Sequence, residues 1–175
     1  IKHSMSSALF IYLGGIIVNL PQIPDIFNEF QELSGTNEIL KLNETLKDNN
    51  LVLNKKDAED IIKNRSIVLN QHGRIELNSS VTECIVKQIG KSPYIDQNNL
   101  VETINDMYEI FHYIKNFTSD LLSDEETVEA MMFFYNKVYN GSIELLKGKG
   151  SEMIISNFKN NKDLKNTKAE EDDEL

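Results

Sequence analysis

The sequence predicts an all-α fold, a single-domain helical bundle, on three observations. Apolar residues between Asp96 and Gly148 recur mostly at steps of three and four, the spacing that stacks side chains on one helical face. A length of 175 residues with 40% hydrophobic and 26% charged residues suits one globular domain with a sizeable core. Finally, no Pro-rich or Gly/Ser linker divides the body, and no repeat of solenoid period occurs in it.

The 97–148 region is read as a long antiparallel helix pair around which the rest is laid. Its first stripe is Leu100, Ile104, Met107, Tyr108, Phe111, Ile114 and Leu121. Its second is Val128, Met131, Met132, Tyr135, Val138 and Tyr139. Ser123 with Glu126 forms a capping box at the second entry.

In chain order, residues 1–20 are an apolar N-terminal segment. Ala8 to Val18 is too short to span a membrane. It reads first as a buried helix, with a short hairpin turning at Gly14-Gly15 as the alternative. Nine apolar side chains in this stretch need a cover, either the chain's own body or a second copy in a homodimer through residues 8–18.

Residues 21–158 are the helical domain. Asp25 opens a helix carrying Ile26, Phe27, Phe30 and Leu33, closed by Gly35 as a left-handed cap. Thr36 to Lys47 repeats the pattern with Ile39, Leu40, Leu42 and Leu46. Asn54 caps the next helix, whose stripe is Ala58, Ile61, Ile62, Arg65 and Leu69 and which His72-Gly73 stops. Arg74 to Leu77 alternates polar and apolar as a short strand or extended link. Asn78 or Ser79 caps a helix carrying Val81, Cys84, Ile85, Val86 and Ile89, ended by Gly90, and Asp96 caps the long helix. Ser151 to Phe158 adds a last turn or two. Residues 159–175 are a polar acidic tail, expected to be mobile or weakly helical because it has little apolar area to bury.

A net charge of −10 without a basic cluster argues against nucleic-acid binding. The single cysteine, Cys84, excludes an internal disulfide and reads as a buried small hydrophobe in a reducing compartment. The terminal Asp-Asp-Glu-Leu and the Asn-x-Ser/Thr sites at Asn43, Asn64, Asn78, Asn116 and Asn140 suggest secretion. An Asn-rich composition yields such sites by chance, so a cytoplasmic location is preferred.

Several runs in series resemble an uncharacterised family of small bacterial proteins, known mainly from Firmicutes. They are Gly73-Arg74-Ile75-Glu76, Ser92-Pro93-Tyr94-Ile95, Lys115-Asn116-Phe117-Thr118, Leu122-Ser123-Asp124-Glu125-Glu126 and Gly141 to Leu146. The resemblance covers about Leu42 to Gly148. It implies a bacterial, cytoplasmic protein with a domain of unknown function and transfers no catalytic residue.

Glu109 and His112 have the Glu-x-x-His spacing of di-iron bundles, yet no second such pair completes a site. They read as a partly exposed surface pair, and no metal or cofactor is expected. Tyr94, Tyr108, Tyr113, Tyr135 and Tyr139 form either ordinary core or the wall of a ligand pocket. Gly148-Lys149-Gly150 lacks the preceding strand and third glycine of a phosphate loop. No nucleophile–base–orienter set is visible, so catalytic residues are not assigned. Two functions remain open. One is a non-enzymatic protein-interaction module. The other is a small-molecule binder or enzyme using a Tyr-lined pocket (Tyr94, Tyr108, Tyr135) with Glu109 and His112.

Overall fold

The computed structural model describes residues 12–13, 16–17, 34–76 and 79–167. Residues 34–41 are helical (α1), followed by α2 (Asn43–Leu46) and a 3₁₀ turn at Lys47–Asn49. Then come α3 (Lys55–Gln71), α4 (Ser80–Ile89), α5 (Leu100–Phe117) and α6 (Asp124–Phe133). The last helical stretch runs from α7 (Ile143–Leu145) through a π segment at Leu146–Gly150 into α8 (Ser151–Lys159). The fold is an all-α single domain. Among the described residues no helix is long and apolar enough to cross a membrane.

α5 is the organising element. It packs against α3, α4, α6 and α8, and its stripe from Leu100 through Ile104, Met107, Tyr108 and Phe111 to Ile114 is buried. Leu121 is not part of it. At 76% exposure it lies beyond Phe117, where the helix has ended and helical periodicity no longer aims side chains inward. Leu122 is buried in its place.

The second member of the expected pair is divided. α6 loosens into a π turn at Phe134–Val138 and stops at Asn140 and Gly141, whose φ angles are 49° and 85°. Gly141 permits a close approach as well as the left-handed backbone, since a Cβ there would sit 2.5 Å from Tyr94 Cβ. Helix then resumes and runs to Lys159, within one residue of the end expected for the Ser151 to Phe158 segment.

Local chemistry explains several boundaries. Asn54 Oδ1 accepts from Asp57 N at 3.0 Å while Asp57 Oδ2 accepts from Asn54 N at 2.9 Å, a capping box on α3. Ser123 and Glu126 form the same device on α6. Ser79 precedes α4 without a side-chain cap. Asn99 takes the position before α5, and Asp96 Oδ1 accepts from the Asn98 and Asn99 amides in the turn ahead of it. Gly35 lies within α1 instead of closing a helix, and a Cβ on it would meet Ile62 Cδ1 at 2.8 Å, so close packing on α3 accounts for it.

Tyr12–Leu13 pairs antiparallel with Ile16–Ile17, Tyr12 opposite Ile17 and Leu13 opposite Ile16. At these four residues the buried-helix reading is corrected to paired strands, in keeping with their aromatic and β-branched side chains, and the rest of Ala8 to Val18 lies outside the described residues. The helix expected from Asp25 to Leu33 and the final acidic residues lie outside the described residues.

Beyond α8 the chain turns back. Buried Asn157 donates to the Leu164 and Asn166 carbonyl oxygens, Leu164 packs on the core, and Lys165 reaches Glu129. The polar tail is therefore docked as far as Asn166 by the Asn157 amide, the Leu164 side chain and the Lys165–Glu129 pair.

Candidate functional site

The link between α3 and α4 places more chemistry than its length suggests. His72 and Gly73 end α3, Gly73 with a φ of 63°, and Arg74 to Glu76 runs extended across α5. The alternation is the reverse of a core strand. Ile75 is 88% exposed, while Arg74 and Glu76 turn towards polar partners on α5 and α3. Satisfying those charges outweighs covering one isoleucine.

Glu76, itself half-buried, is the centre of a network that reaches into the core. Its Oε2 accepts from Arg65 Nε at 3.0 Å, and its Oε1 lies 3.2 Å from His112 Nε2. That second approach is off the line of a well-formed hydrogen bond, and His112 Nδ1 has no partner among the described residues. Tyr108 is buried alongside, its hydroxyl likewise without an aligned partner. Burial pushes the Glu76 carboxyl up, but His112, Tyr108 and the Arg65 guanidinium outweigh it and hold the group below its ordinary value. Burial, then the Glu76 charge, pushes the Tyr108 phenol up.

A second chain of contacts crosses the surface. Asp120 grips Arg74 with both oxygens, at 2.8 Å to Nη1 and 2.9 Å to Nη2. Arg74 donates from Nε and Nη2 to Asn116 Oδ1 at 2.9 and 2.7 Å, and Asn116 Nδ2 lies 2.6 Å from His72 Nδ1. The Arg74 hydrogen bond depresses Asp120 below its ordinary value. Buried Lys115 is held by Asp124 at 2.9 Å and by the Leu122 carbonyl. Arg74, Asp120, Lys115, Asp124 and His112 border a cavity of about 270 Å³.

A larger cleft, about 450 Å³, opens between the end of α3, one face of α5 and the π segment. It is lined by Gln71, His72, Glu109, Ile110, Tyr113 and Lys147. Ile110 is buried at its floor, Tyr113 offers a half-exposed ring, and the Glu109–Lys147 ion pair stands at its side. The Glu109 hydrogen bond raises the Lys147 ammonium above its ordinary value. Asp106 is raised, chiefly by burial.

The residues singled out from sequence fall in three places. Glu109 and Tyr113 line the large cleft. Tyr108 and His112 belong to the Glu76 network. Tyr94 and Tyr135 meet edge to face at 6.3 Å, with the Tyr94 hydroxyl bonded to Asn140, away from both. Tyr139 is half-buried and reaches Met153. Glu109 and His112 therefore do not act as a pair. His112 is 2% exposed, not a surface residue, because it faces Glu76 while Glu109 faces Lys147. Among the described residues no group of three or more His, Cys, Asp or Glu is placed to hold a metal ion. Cys84 is half-buried instead of buried, and burial together with the acidic start of α6 pushes its thiol up. His72, Arg74, Glu76, Asn116 and Lys147 were missed as site residues. The signal available was that two runs carrying the family resemblance, one with Arg74 and one with Asn116, meet in space.

Fold and site together define a small all-α domain with a ligand-sized cleft beside a half-buried Arg–Glu–His network. Residues 38–164 match a family of unknown function (DUF6323), and the chain belongs to that family. The matched region takes in every residue of the cleft and of the network. No curated protein and no solved structure matches the chain.

Proposed function

We propose that the protein is a small-molecule-binding domain whose site is the cleft at Ile110, Tyr113, Glu109, Lys147, His72 and Gln71. The observation that carries this reading is the cleft itself. Its volume of about 450 Å³ lies within the roughly 300–1,000 Å³ of ligand sites, and it combines an apolar floor with a few convergent polar groups. The side chains that converge there come from α3, α5 and the π segment, so a ligand would bridge elements far apart in sequence and stabilise the folded chain.

Gln71 is exposed at the cleft, so Gln71→Trp crowds the site without disturbing the core. Small molecules that raise the melting temperature of the native chain should lose that effect on the Gln71→Trp variant. Equal stabilisation of both proteins would place the binding elsewhere.

A second reading, a protein-interaction role through self-association at residues 8–18, is favoured by the hairpin at Tyr12–Leu13 and Ile16–Ile17. A two-stranded ladder is marginal alone in water and needs another surface. Light scattering on the full chain and on a chain lacking residues 1–20 tests it. Dimer becoming monomer supports the reading, and monomer in both cases removes it.

A further inference from the structure

The contacts of Asn116 fix the chemical face that His72 shows to the cleft. Arginine carries donors and no acceptor, so the Asn116 atom receiving Arg74 Nε and Nη2 at 2.9 and 2.7 Å must be the amide oxygen. The amide nitrogen, a donor only, then lies 2.6 Å from His72 Nδ1. Nδ1 must accept, so it carries no proton. Neutral His72 therefore bears its hydrogen on Nε2, the ring's remaining polar atom, which has no hydrogen-bond partner among the described residues. Asp120, gripping the other side of Arg74, holds the guanidinium and through it the amide orientation.

Protonating Nδ1 would set two donors against each other or force the amide to turn and abandon Arg74. In the same direction, burial, the neighbouring His112 and the Arg74 charge hold His72 below its ordinary value, with Glu109 opposing. His72 is thus a fixed, uncharged donor in the cleft wall. Lys147 is a second donor, held cationic by Glu109. Glu109 is an acceptor on the same wall. Between donors and acceptor lie Ile110 and Tyr113.

We infer that the cleft takes a zwitterion of amino-acid size with an apolar side group, its carboxylate received by His72 Nε2–H and Lys147 and its ammonium by Glu109. The opposed pair Glu109–Lys147 is met by a ligand carrying both charges, because it replaces each partner of the broken ion pair. A plain anion leaves Glu109 facing like charge, and a plain amine leaves His72 and Lys147 without their acceptor. The inference rests on the cleft being the small-molecule site. Asn116 acts as a positioning residue, since it reaches the ligand only through His72.

The test uses the full chain and three probes of one shape: L-phenylalanine, L-phenylalaninol, which lacks the carboxylate, and 3-phenylpropionate, which lacks the amine. Calorimetry measures affinity, methyl NMR at Ile110 reports occupancy, and long-range ¹⁵N spectra of the imidazoles read the His72 tautomer without any ligand. Phenylalanine should bind about tenfold or more tightly than either truncated probe, as expected for a lost charge-assisted hydrogen bond. Asn116 is on the surface, so Asn116→Leu is expected to fold. It should release the His72 proton to both ring nitrogens and lower phenylalanine affinity towards that of phenylalaninol, leaving phenylalaninol unchanged. Probes that move the Ile110 signal with phenylalaninol as tight as phenylalanine, or a His72 proton on Nδ1, would overturn the inference and leave the cleft as a site. Absence of any response at Ile110 to all three would remove the site and the inference together.

Discussion

Truncating Phe111 to alanine tests the central packing. The ring is 1% exposed on the α5 face, meets His112 edge-on at 5.1 Å, and carries the Lys115 ammonium 5.8 Å from its centroid. Removing it deletes a fully buried aromatic, which typically costs about 3–5 kcal/mol through lost transfer energy and the cavity left behind. The neighbouring cavity of about 270 Å³ would be enlarged rather than closed, because the Lys115–Asp124 and Arg74–Asp120 pairs around it resist collapse. The upper part of that range is therefore expected. Urea unfolding at pH 7, followed by far-UV circular dichroism, gives the change in midpoint at constant slope. For a domain of this length each kcal/mol also lowers the melting temperature by roughly 2–4 °C. Leu121→Ala is the internal control, since a side chain at 76% exposure should change stability by no more than about 0.5 kcal/mol. A loss below about 1 kcal/mol for Phe111→Ala, or a larger loss for Leu121→Ala, would refute the burial of the α5 face as described.

Three further outcomes are expected. Gly141→Ala should destabilise by more than about 1 kcal/mol, because φ is 85° and the new Cβ would strike Tyr94, whereas Gly148→Ala, in helix with nothing within 4 Å, should stabilise by roughly 0.5–1 kcal/mol; thermal unfolding of the two variants checks the contrast. Deleting residues 160–175 should cost on the order of 1–3 kcal/mol, since it strips the buried Asn157 amide of the Leu164 and Asn166 carbonyls, while deleting only 168–175 should leave the urea midpoint within about 0.5 kcal/mol of the full chain. Stability should fall as pH drops below about 6.5, because folded His72 is held below that value and the unfolded chain takes up its proton first; Glu76 and Asp120, also lowered, add losses below about 4.5 and 3.8, and His72→Gln should flatten only the upper step of a urea-midpoint profile against pH.

What could be read from the sequence was local. The α5 stripe from Leu100 to Ile114 follows from spacing alone, the Asn54 cap from its residue type, and the box at Ser123 from residue types three positions apart, whereas Asp57 as the second half of a box at Asn54 was not read. The break after α6 carried an Asn-Gly signal at Asn140-Gly141, but flanking apolar residues continued the helical period and masked it. The hairpin at 12–17 was ambiguous because a short apolar run fits a strand or a buried helix equally well. The site was least legible. Glu109 and His112 share a helix and a motif spacing, yet their partners Lys147 and Glu76 lie on separate elements, so only the tertiary arrangement separates them. His72 and Asn116 are 44 residues apart, and nothing in either local sequence announces that they meet.

The most direct measurement of the central claim is a methyl-resolved NMR titration of the native chain with L-phenylalanine. Binding in the cleft should shift the Ile110 methyl signals first and saturably, leave the core methyls of Ile39 and Ile85 in place, and vanish in Gln71→Trp. Shifts centred elsewhere, or an Ile110 response that survives Gln71→Trp, would contradict a small-molecule site in this cleft.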